Sequence, residues 1–535
     1  MEPGAEFDFI VVGAGSAGCV LANRLSEDPR NRVLLMEAGG RDTSPVIHIP
    51  LLAGVAYFDP AINWGYDTEP ESHLAGRRIH WPRGRVIGGS SSINGMMYVR
   101  GQAADYDHWR QLGLAGWDYA SVLPYFRRSE ANRDRRDLFH GAAGPWQIAR
   151  THSDNPLYAA FFQAALSAGY RETDDFNGAR QEGFGWHDFN VVRGRRQSTA
   201  VAFLRPAARR NNLQVLPRAQ ARRVIFEAGQ ARSLEYAADG AVRTVRARRE
   251  IILSGGAVNS PTILMHSGVG DAAQLRAWGI DVRHHAPEVG RGLQDHLGIY
   301  VQHASLQPVT MYGWFRPDRA IGMMLQVALF GRGPAASLPL QAGLFARSSG
   351  RVATPDLQIT MVPGLTLDVT RKKQGRHGFL IHVYPLRPQS RGRITLASGD
   401  PAAKPKILAN YLGEATDRET MRSGFHIVRR LFAQPSFAPY LGRAISPGPD
   451  VRTDDDVDRW IQDSAQTVFH PTGTCRMGAD AASVVDGELR VRGVAGLRVV
   501  DASVMPTIVS GNTQAPTVMI AEKAADLILG RAAPA

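Results

Sequence analysis

The sequence contains very little cysteine, and this shortage excludes several classes of protein. Among its 535 residues only Cys19 and Cys475 are cysteines, too few for a disulfide framework or a cysteine-rich metal site. Cys19 lies in an apolar run with helical spacing, where we expect it to serve in packing. We therefore expect a protein without structural disulfides and without a bound metal.

Long apolar runs are also missing. No stretch of about 20 apolar residues occurs, so we expect no transmembrane helix. The first residues, Met1–Glu6, have neither the basic nor the apolar segment of a secretion signal, and they lead directly into a strand-like run. These two absences predict a cytoplasmic protein, with peripheral contact at the inner membrane as an open alternative.

Acidic residues are outnumbered by basic ones, and the formal net charge is +12. The arginines are scattered, for example over 205–210 and 246–249, and aromatic side chains do not alternate with them as binding of single-stranded nucleic acid requires. We therefore expect no nucleic acid partner. Two interpretations of the charge stay open: a solvated arginine-rich surface, and attraction to an anionic membrane.

A glycine-rich loop near the start of the chain predicts a dinucleotide site. The run Phe7–Val12 has the pattern of a buried parallel strand, and the spacing Gly13-x-Gly15-x-x-Gly18 leads from it into a helical pattern. Gly13 allows a tight turn, Gly15 lets the backbone approach a pyrophosphate, and Gly18 allows close packing of helix on strand. The helix start also offers N–H donors to the phosphates.

Two further segments indicate which dinucleotide is bound. The run Arg32–Met36 ends at Glu37, where a carboxylate can bind ribose hydroxyls. A second glycine- and serine-rich segment, Gly84–Asn94, follows further along the chain, and its backbone amides can approach a flat ligand. An NAD-binding unit has no use for this second segment, whereas a larger cofactor such as FAD needs it.

Together with other segments, these motifs resemble the glucose–methanol–choline (GMC) family of FAD-dependent oxidoreductases along essentially the whole chain. Within that family the likeness is greatest to bacterial dehydrogenases of choline and aliphatic alcohols. The segments that carry the resemblance are Gly84–Asn94, Gly256–Gly270, Val289–His296, Phe469–Arg476 and Ser510–Thr513.

The expected fold class is α/β. It comprises a Rossmann-type FAD-binding domain with a parallel sheet and a β-meander, and an α+β substrate domain with an antiparallel sheet. Three short strands after Leu213 predict the meander, which returns to the parallel sheet through Glu250–Ser254; Phe379–Tyr384 and Gly392–Leu396 predict the antiparallel sheet. In chain order the expected segments are 1–154 (FAD-binding), 155–215 (substrate), 216–304 (FAD-binding), 305–462 (substrate) and 463–535 (FAD-binding).

The resemblance implies which residues contact FAD. Some relatives attach FAD through a histidine just before the loop asparagine; this chain has Ile93 there, so we expect FAD to be bound non-covalently. The backbone of Val224 is expected to meet the adenine, with a role only in the core as the alternative. The expected cofactor residues are Gly13, Gly15, Ser16, Ala17, Gly18, Glu37, Ala38, Arg85, Val86, Gly89, Ser90, Asn94, Gly95, Met96, Met97, Val224, Asp501, Ala502, Asn512 and Thr513.

Two residues near the end of the chain are the candidates for catalysis. A histidine side chain has an ordinary pKa of about 6.5. His470 can therefore take the hydroxyl proton of an alcohol while a hydride is transferred to flavin N5. Asn512 can donate a hydrogen bond to the alcohol oxygen. A helix beginning just after Asn512 would bring its positive end to the flavin and favour the anionic reduced form. His266 and His296, although they lie in matching segments, are assigned to packing and loop structure.

The predicted reaction is the oxidation of a primary alcohol to the aldehyde. A choline-type cation needs a carboxylate or an aromatic cage, and Ala335–Ala346, expected near the pocket, has no acidic residue. Further residues expected there are also apolar or aromatic: Met311, Tyr312, Trp314, Phe315, Met323 and Met324.

This composition favours an uncharged, fairly apolar alcohol over choline. The likeness to bacterial dehydrogenases favours a quinone or similar electron acceptor over dioxygen. A flavin-containing lyase without net redox is the remote alternative, and nothing in the sequence indicates the oligomeric state.

Overall fold

A computed structural model describes residues 5–365 and 375–534. Met1–Gly4, which carry part of the expectation about the N-terminus, residues 366–374 and Ala535 lie outside the described residues, as does the side chain of Phe315. The helices, in chain order, are α1 (Ser16–Leu25), α2 (Pro45–His48), α3 (Ala53–Ala56), α4 (Ala103–Gln111), α5 (Tyr119–Ser129), α6 (Pro156–Ser167), α7 (Arg205–Ala207), α8 (Gly256–His266), α9 (Ala272–Ala277), α10 (Pro317–Phe330), α11 (Ala415–Phe432), α12 (Asp454–Ser464) and α13 (Gln514–Leu529).

The strands range from two-residue pairings to the 13-residue β15. In chain order they are β1 (Glu6–Val12), β2 (Val33–Met36), β3 (Tyr66–Asp67), β4 (His80–Trp81), β5 (Met97–Tyr98), β6 (Glu130–Asn132), β7 (Trp146–Arg150), β8 (Gly183–Trp186), β9 (Asp188–Phe189), β10 (Val191–Val192), β11 (Arg195–Arg196), β12 (Leu213–Leu216), β13 (Gln220–Glu227), β14 (Gln230–Ala238), β15 (Ala241–Leu253), β16 (Val269–Gly270), β17 (His284–His285), β18 (Arg291–Leu293), β19 (Leu297–Ser305), β20 (Ala342–Ala346), β21 (Leu357–Val362), β22 (Gly378–Pro385), β23 (Gly392–Thr395), β24 (Lys406–Leu408), β25 (Leu441–Ser446), β26 (Gln466–Thr467) and β27 (Leu497–Val499).

The glycine loop follows strand β1 of the first large sheet, at the carboxyl end of that strand. The order of this sheet is β12-β2-β1-β15-β14-β13, and β27 also pairs with β15. The pairings among β12, β2, β1, β15 and β27 are parallel, and β13–β14–β15 is an antiparallel meander. Every residue of β2 is buried, as expected for a central parallel strand. The expected α/β class with a parallel sheet and a meander is confirmed.

The strand β15 differs from the expectation. The sequence predicts three short strands for the meander and a separate return strand through Glu250–Ser254, whereas in the structure the last strand of the meander and the return strand are one continuous strand. The intervening arginines are largely exposed and break the apolar pattern, so the continuity is not visible from hydrophobic periodicity.

The second large sheet is antiparallel, with the order β25-β19-β22-β21-β20-β8, and β26 pairs with β19. The strand predicted over Phe379–Tyr384 is its fully buried member β22. The strand predicted over Gly392–Leu396 is antiparallel too, but as β23 it belongs to a separate sheet with β18 and β24.

Strand pairing also bears on the expected division into domains. Strand β12 lies at the end of the expected substrate segment 155–215 but pairs with β2 in the parallel sheet. Strand β19 falls within the expected FAD-binding segment 216–304, apart from its last residue, but pairs with β22 in the antiparallel sheet. The residue pattern of a short apolar run predicts a strand but does not indicate which sheet the strand joins. The sequence therefore assigns β12 and β19 to the wrong sheets. The division itself stays a prediction.

Helix α13 completes the half of the molecule that contains the parallel sheet. It is buried on nearly all sides and packs against α1 and α5. Within the described residues, no helix combines the length and the apolar character needed to cross a bilayer.

Candidate active site

A cavity of about 540 Å³ is lined by residues from both large sheets. It brings together segments from both ends of the chain. The expected cofactor and catalytic residues that line it are Gly13, Gly15, Ser16, Ala17, Glu37, Ala38, Gly89, Ser90, Asn94, Gly95, Met96, Met97, His470, Asp501, Ala502, Asn512 and Thr513.

Val224 is not part of this lining, and the structure therefore does not support the expected contact between its backbone and adenine. The N–H of Val224 donates to Ser267 Oγ at 2.8 Å, and its side chain is buried. The residues that line the cavity at this strand are 219–222. Neighbouring residues of a strand point to opposite faces, and the residue types of this strand do not indicate which face meets the ligand. The geometry fits the alternative, in which Val224 serves only in the core.

Gly18, Arg85 and Val86 also lie outside the lining. A Cβ at Gly18 would fall 1.9 Å from the carbonyl oxygen of Gly13, so Gly18 permits close packing of α1, as its position in the motif predicts. The Arg85 guanidinium lies 4.9 Å from the ring centroid of Trp64, and Val86 is buried in an apolar cluster. Direct contacts of these three residues with the cofactor are therefore not supported by the geometry.

The two glycine-rich loops meet at one wall of the cavity. The N–H of Gly88 donates to the carbonyl oxygen of Ala14 at 2.7 Å. Gly89 has φ +52°, and a Cβ there would lie 2.6 Å from the Cα of Gly15. A side chain at Gly89 would therefore both strain the backbone and push the loops apart.

Glu37 lies at the end of β2, as the motif predicts. Its two carboxylate oxygens accept from the N–H groups of Ala14 and Gly39 at 3.0 and 2.8 Å. Burial raises the pKa of Glu37 to about 7. The backbone contacts aim the carboxyl group into the cavity, where it can still accept from ligand hydroxyls.

Several buried polar atoms of the lining have no partner in the protein. Buried polar groups are nearly always hydrogen-bonded, so such atoms indicate a polar ligand. A dinucleotide fits this donor set, because its hydroxyls, phosphates and ring heteroatoms offer partners along its whole length. The atoms are Ser254 Oγ, His266 Nδ1, Gln358 Oε1, His382 Nε2, Asn512 Oδ1 and Gln514 Nε2.

The first turn of α13 also faces this cavity. Thr513, Gln514 and Thr517 line it, and Thr513 is the N-cap residue of the helix, without a hydrogen bond from its side chain. The N–H groups of a first helical turn lack partners within the helix and carry partial positive charge. This end of α13 can therefore stabilise negative charge on a ligand.

Ile93, the residue on which the expectation of non-covalent FAD rests, lies in the wall of the cavity. Its side chain is 2% exposed and packs in an apolar cluster with Ile47, Ile62 and Val86. This residue offers no nucleophilic atom to a flavin.

His470 is held by two consecutive residues, Asp295 and His296. Asp295 Oδ1 accepts from the N–H of His470 at 2.6 Å, and His296 Nδ1 lies 2.9 Å from His470 Nδ1. Phe469, just before, has φ +69°, and its carbonyl accepts from the Arg83 guanidinium at 2.8 Å. The backbone that presents His470 is thus fixed on both sides of the residue.

The hydrogen bonds determine which nitrogen of His470 carries the proton. His296 Nε2 lies 2.8 Å from the carbonyl oxygen of Leu386, which only accepts, so this nitrogen bears a hydrogen. Burial lowers the pKa of His296 to about 4, so the ring is neutral and its Nδ1 accepts. The proton between the two rings therefore belongs to His470 Nδ1, and His470 Nε2 carries the unprotonated lone pair of the ring. Asn512 Nδ2 donates to that lone pair at 3.2 Å.

The surroundings also keep His470 neutral. Burial lowers its pKa well below the ordinary value, and the positive charge of the Arg83 guanidinium lowers it further. A neutral imidazole with its lone pair facing the cavity is ready to accept a proton at neutral pH.

The contacts of Asp295 and His296 with His470 were not anticipated. Arg83 is a further unanticipated residue. His296 was expected to serve only in packing and loop structure, but it contacts the candidate base directly. The sequence gives one indication of a role for Asp295 and His296, because they are the last two residues of Val289–His296, a segment that carries the family resemblance. Their partner lies far along the chain, and such contacts cannot be read from local spacing.

The lining near the base combines aromatic rings with the Arg83 guanidinium. Tyr384 lies with its ring centroid 6.3 Å from that of His470, and His382 stacks on Tyr300 at 4.4 Å. Within the described lining the carboxylates are Glu37 and Asp501, and backbone N–H groups donate to both of them. Of the apolar segment expected near the pocket, Leu338, Pro339 and Leu340 line the cavity, as does Met311; Met323 and Met324 lie outside it in α10.

Comparisons with known proteins identify the family to which this chain is similar. Two models described as GMC oxidoreductase match residues 7–298 and 388–521. The chain is 45% identical to mitochondrial choline dehydrogenase of Mus musculus, over 99% of this chain and 90% of that protein. It is 43% identical to oxygen-dependent choline dehydrogenase of Brucella ovis, over 98% and 96%. Among solved structures, pyridoxine 4-oxidase from Mesorbium loti superposes with a TM-score of 0.89 at 32% identity, covering 97% of this chain and 98% of the other.

Proposed function

Because this chain belongs to the GMC oxidoreductase family of FAD-dependent enzymes that act on alcohols, we propose that it oxidises a primary alcohol to the aldehyde with His470 as the base. The observation that carries the assignment of the base is the unprotonated His470 Nε2, which lies 3.2 Å from Asn512 Nδ2 in the lining of the cavity. Asp295 and His296 hold this imidazole in place.

In the proposed reaction, His470 Nε2 takes the proton of the hydroxyl group while a hydride leaves the carbon that bears this hydroxyl. FAD, when bound, supplies the hydride acceptor at N5. Asn512 Nδ2, which donates to His470 in the free site, donates to the alcohol oxygen once the substrate lies between them. The alcohol thus loses one proton and one hydride, and the C–O bond becomes the aldehyde double bond.

Redox chemistry and lyase chemistry predict different spectra. Under anaerobic conditions, addition of a primary alcohol should bleach the flavin absorbance as the aldehyde forms. Product formation with an unchanged flavin spectrum would instead support a lyase.

FAD is proposed to be bound non-covalently by the two glycine loops and Glu37. The support is Ile93, which has no group that can bond to a flavin carbon. Acid precipitation of the holoenzyme should release the yellow cofactor into the supernatant. Flavin fluorescence that stays with the polypeptide in a denaturing gel would contradict the proposal.

The proposed substrate is an uncharged, fairly apolar alcohol. The described wall near His470 offers hydroxyl, imidazole, amide and apolar side chains together with the Arg83 guanidinium, which disfavours a cationic substrate. Both lining carboxylates, Glu37 and Asp501, already accept from backbone groups. Choline is the second candidate, because relatives 43–45% identical to this chain are named choline dehydrogenases.

A matched pair of substrates separates these candidates. Choline and 3,3-dimethylbutan-1-ol have the same shape, but only choline carries a positive charge. We expect the neutral alcohol to have the higher kcat/KM. A preference for choline would assign the site to a quaternary ammonium alcohol, with the aromatic rings around His470 as its contacts.

The proposed electron acceptor is a quinone or a similar molecule. Dioxygen is the alternative, favoured by the name of the Brucella relative. Parallel assays with a soluble quinone and with dioxygen decide between them, since only the second yields hydrogen peroxide. A cytoplasmic location with contact at the inner membrane surface is part of the same proposal.

A further inference from the structure

Helix α10 presents an apolar stripe to solvent. Ile321, Leu325 and Leu329 are exposed by 64, 56 and 70%, and Phe330 by 65%. The spacing of four residues places the first three on one face of the helix. Large apolar side chains exposed singly are common on proteins, whereas a contiguous stripe marks a surface that contacts something.

The opposite face of α10 anchors the helix to the wall of the active cavity. Met323 and Val327 are buried in a cluster with Ala335, and Leu51 packs against this cluster. Leu51 also lines the cavity, as does Met311 of the turn that precedes α10 and packs against it. The exposed stripe therefore lies on the outer side of a wall of the substrate cavity.

Basic side chains border both ends of this helix. The hairpin between β10 and β11 abuts its C-terminal end, where a Cβ at Gly331 would lie 2.4 Å from the Arg193 carbonyl oxygen. Asp318 is the acidic residue of the helix, and it pairs with Arg316 at 3.3 Å. The exposed basic residues at the two ends are Arg193, Arg195, Arg316, Arg319 and Arg332.

We propose that the α10 stripe, Ile321, Leu325 and Leu329, docks on an anionic lipid bilayer. Apolar side chains of an amphipathic helix insert at the boundary of headgroups and acyl chains, and arginines at its ends bind anionic headgroups. A second copy of the chain is a less suitable partner for this stripe. A two-fold contact through the stripe would bring the arginines of one copy close to those of the other, and their like charges would repel.

The purpose of this docking rests on the proposed function. An apolar alcohol and a quinone both dissolve in a bilayer, and α10 would hold the cavity wall against that reservoir. The docking itself, however, is a binding event that requires no turnover. It can therefore be tested whether or not the proposed reaction is right.

The test is cosedimentation of the FAD-loaded enzyme with vesicles. One set contains phosphatidylcholine alone, and the other contains phosphatidylcholine and phosphatidylglycerol in equal parts. The double variant Leu325→Glu/Leu329→Glu alters the stripe, and Leu138→Glu is the matched control, since Leu138 is 80% exposed elsewhere on the surface. FAD content and oxidation of a soluble alcohol with a soluble acceptor report whether each variant is folded.

We expect the wild-type enzyme to bind the anionic vesicles, less so at high salt, and the neutral vesicles weakly. The stripe variant should lose binding by about tenfold or more, because a carboxylate replaces each exposed leucine that would insert into the bilayer, while the control variant binds like wild type. Failure of the wild-type enzyme to bind anionic vesicles overturns the proposal, as does an equal loss in both variants.

Sedimentation velocity tests for the second occupant. A dimer that the stripe variant dissociates, without vesicle binding by the wild type, would assign the surface to another copy of the chain. Vesicle binding without any alcohol oxidation would leave the docking intact and refute the proposed function.

Discussion

The Nδ1 atoms of His296 and His470 lie 2.9 Å apart, with the two rings nearly perpendicular at 88°. Because the Leu386 carbonyl fixes the proton of His296 on Nε2, this contact fixes the proton of His470 on Nδ1. A backbone carbonyl outside the cavity thus selects the nitrogen that faces the substrate.

Replacing the base should abolish the chemical step but leave the cofactor in place. We expect His470→Ala to slow flavin reduction by about 10²–10⁴-fold, the usual contribution of a positioned base, while FAD stays bound. Anaerobic stopped-flow measurement of flavin bleaching checks this rate. His426→Ala, which removes a surface histidine paired with Asp454, is the control and should reduce flavin normally. A normal rate in His470→Ala would remove this residue from the mechanism.

The ring of His296 is predicted to orient the base rather than to bind substrate. His296→Leu removes the acceptor of the His470 Nδ1 proton and frees the ring to adopt the wrong tautomer, so kcat should fall by about 10–100-fold with little change in KM. His296→Asn keeps an oxygen near the position of Nδ1 and should retain more activity. A rise in KM alone, or equal losses in the two variants, would show that His296 has a different role.

The amide of Asn512 is predicted to stabilise the reacting oxygen. Loss of one such donor in Asn512→Ala should raise the barrier to hydride transfer by about 3 kcal/mol, which corresponds to a rate about 10²-fold lower. Asn512→His restores a donor and should recover part of the rate, whereas the isosteric Asn512→Leu should not. Recovery by leucine would indicate that the residue only fills space.

The pH dependence should reflect a base that is hard to protonate. Burial lowers the pKa of His470 below its usual value, so its lone pair is free above that lowered pKa and is lost only as the pH falls through it. The acid limb of kcat/KM should therefore lie below about pH 6.5, the value for an unperturbed histidine. A profile of kcat/KM against pH with a saturating acceptor measures it. An acid limb above neutrality would contradict the neutral resting state of His470.

Contact between the two glycine loops is predicted to decide cofactor retention. Gly89→Ala places a Cβ 2.6 Å from the Gly15 Cα at a positive φ, so FAD occupancy should fall sharply. Gly54→Ala is the matched control, because this glycine also lines the cavity but its Cβ would meet nothing within 4 Å. The ratio of flavin to protein absorbance after gel filtration reports the occupancy, and equal occupancy in the two variants would refute the importance of this contact.

Local spacing explains which parts of the site could be predicted. The turn at Gly13 and the carboxylate at Glu37 follow from a strand, helix and strand in sequence order, and both lie where the motif places them. The family and fold class are confirmed by the comparisons. The roles of His470 and Asn512 stay predictions, although the structure brings both to one cavity.

Other parts depend on contacts between distant segments. The partnership of His296 with His470 joins residues that are 174 positions apart, and no periodicity reports such a pairing. The continuity of β15 was hidden by the exposed arginines in its middle, and the side of the strand at Val224 could not be read from its residue types. Each of these depends on tertiary packing rather than on local preference.

The cavity has one wall from the loop after β1 and another from the start of α13. During translation the first of these walls emerges from the ribosome long before the second. A growing polypeptide can form the glycine turn after β1 but still lacks the opposite wall of the cavity, so cofactor insertion should follow synthesis of α13.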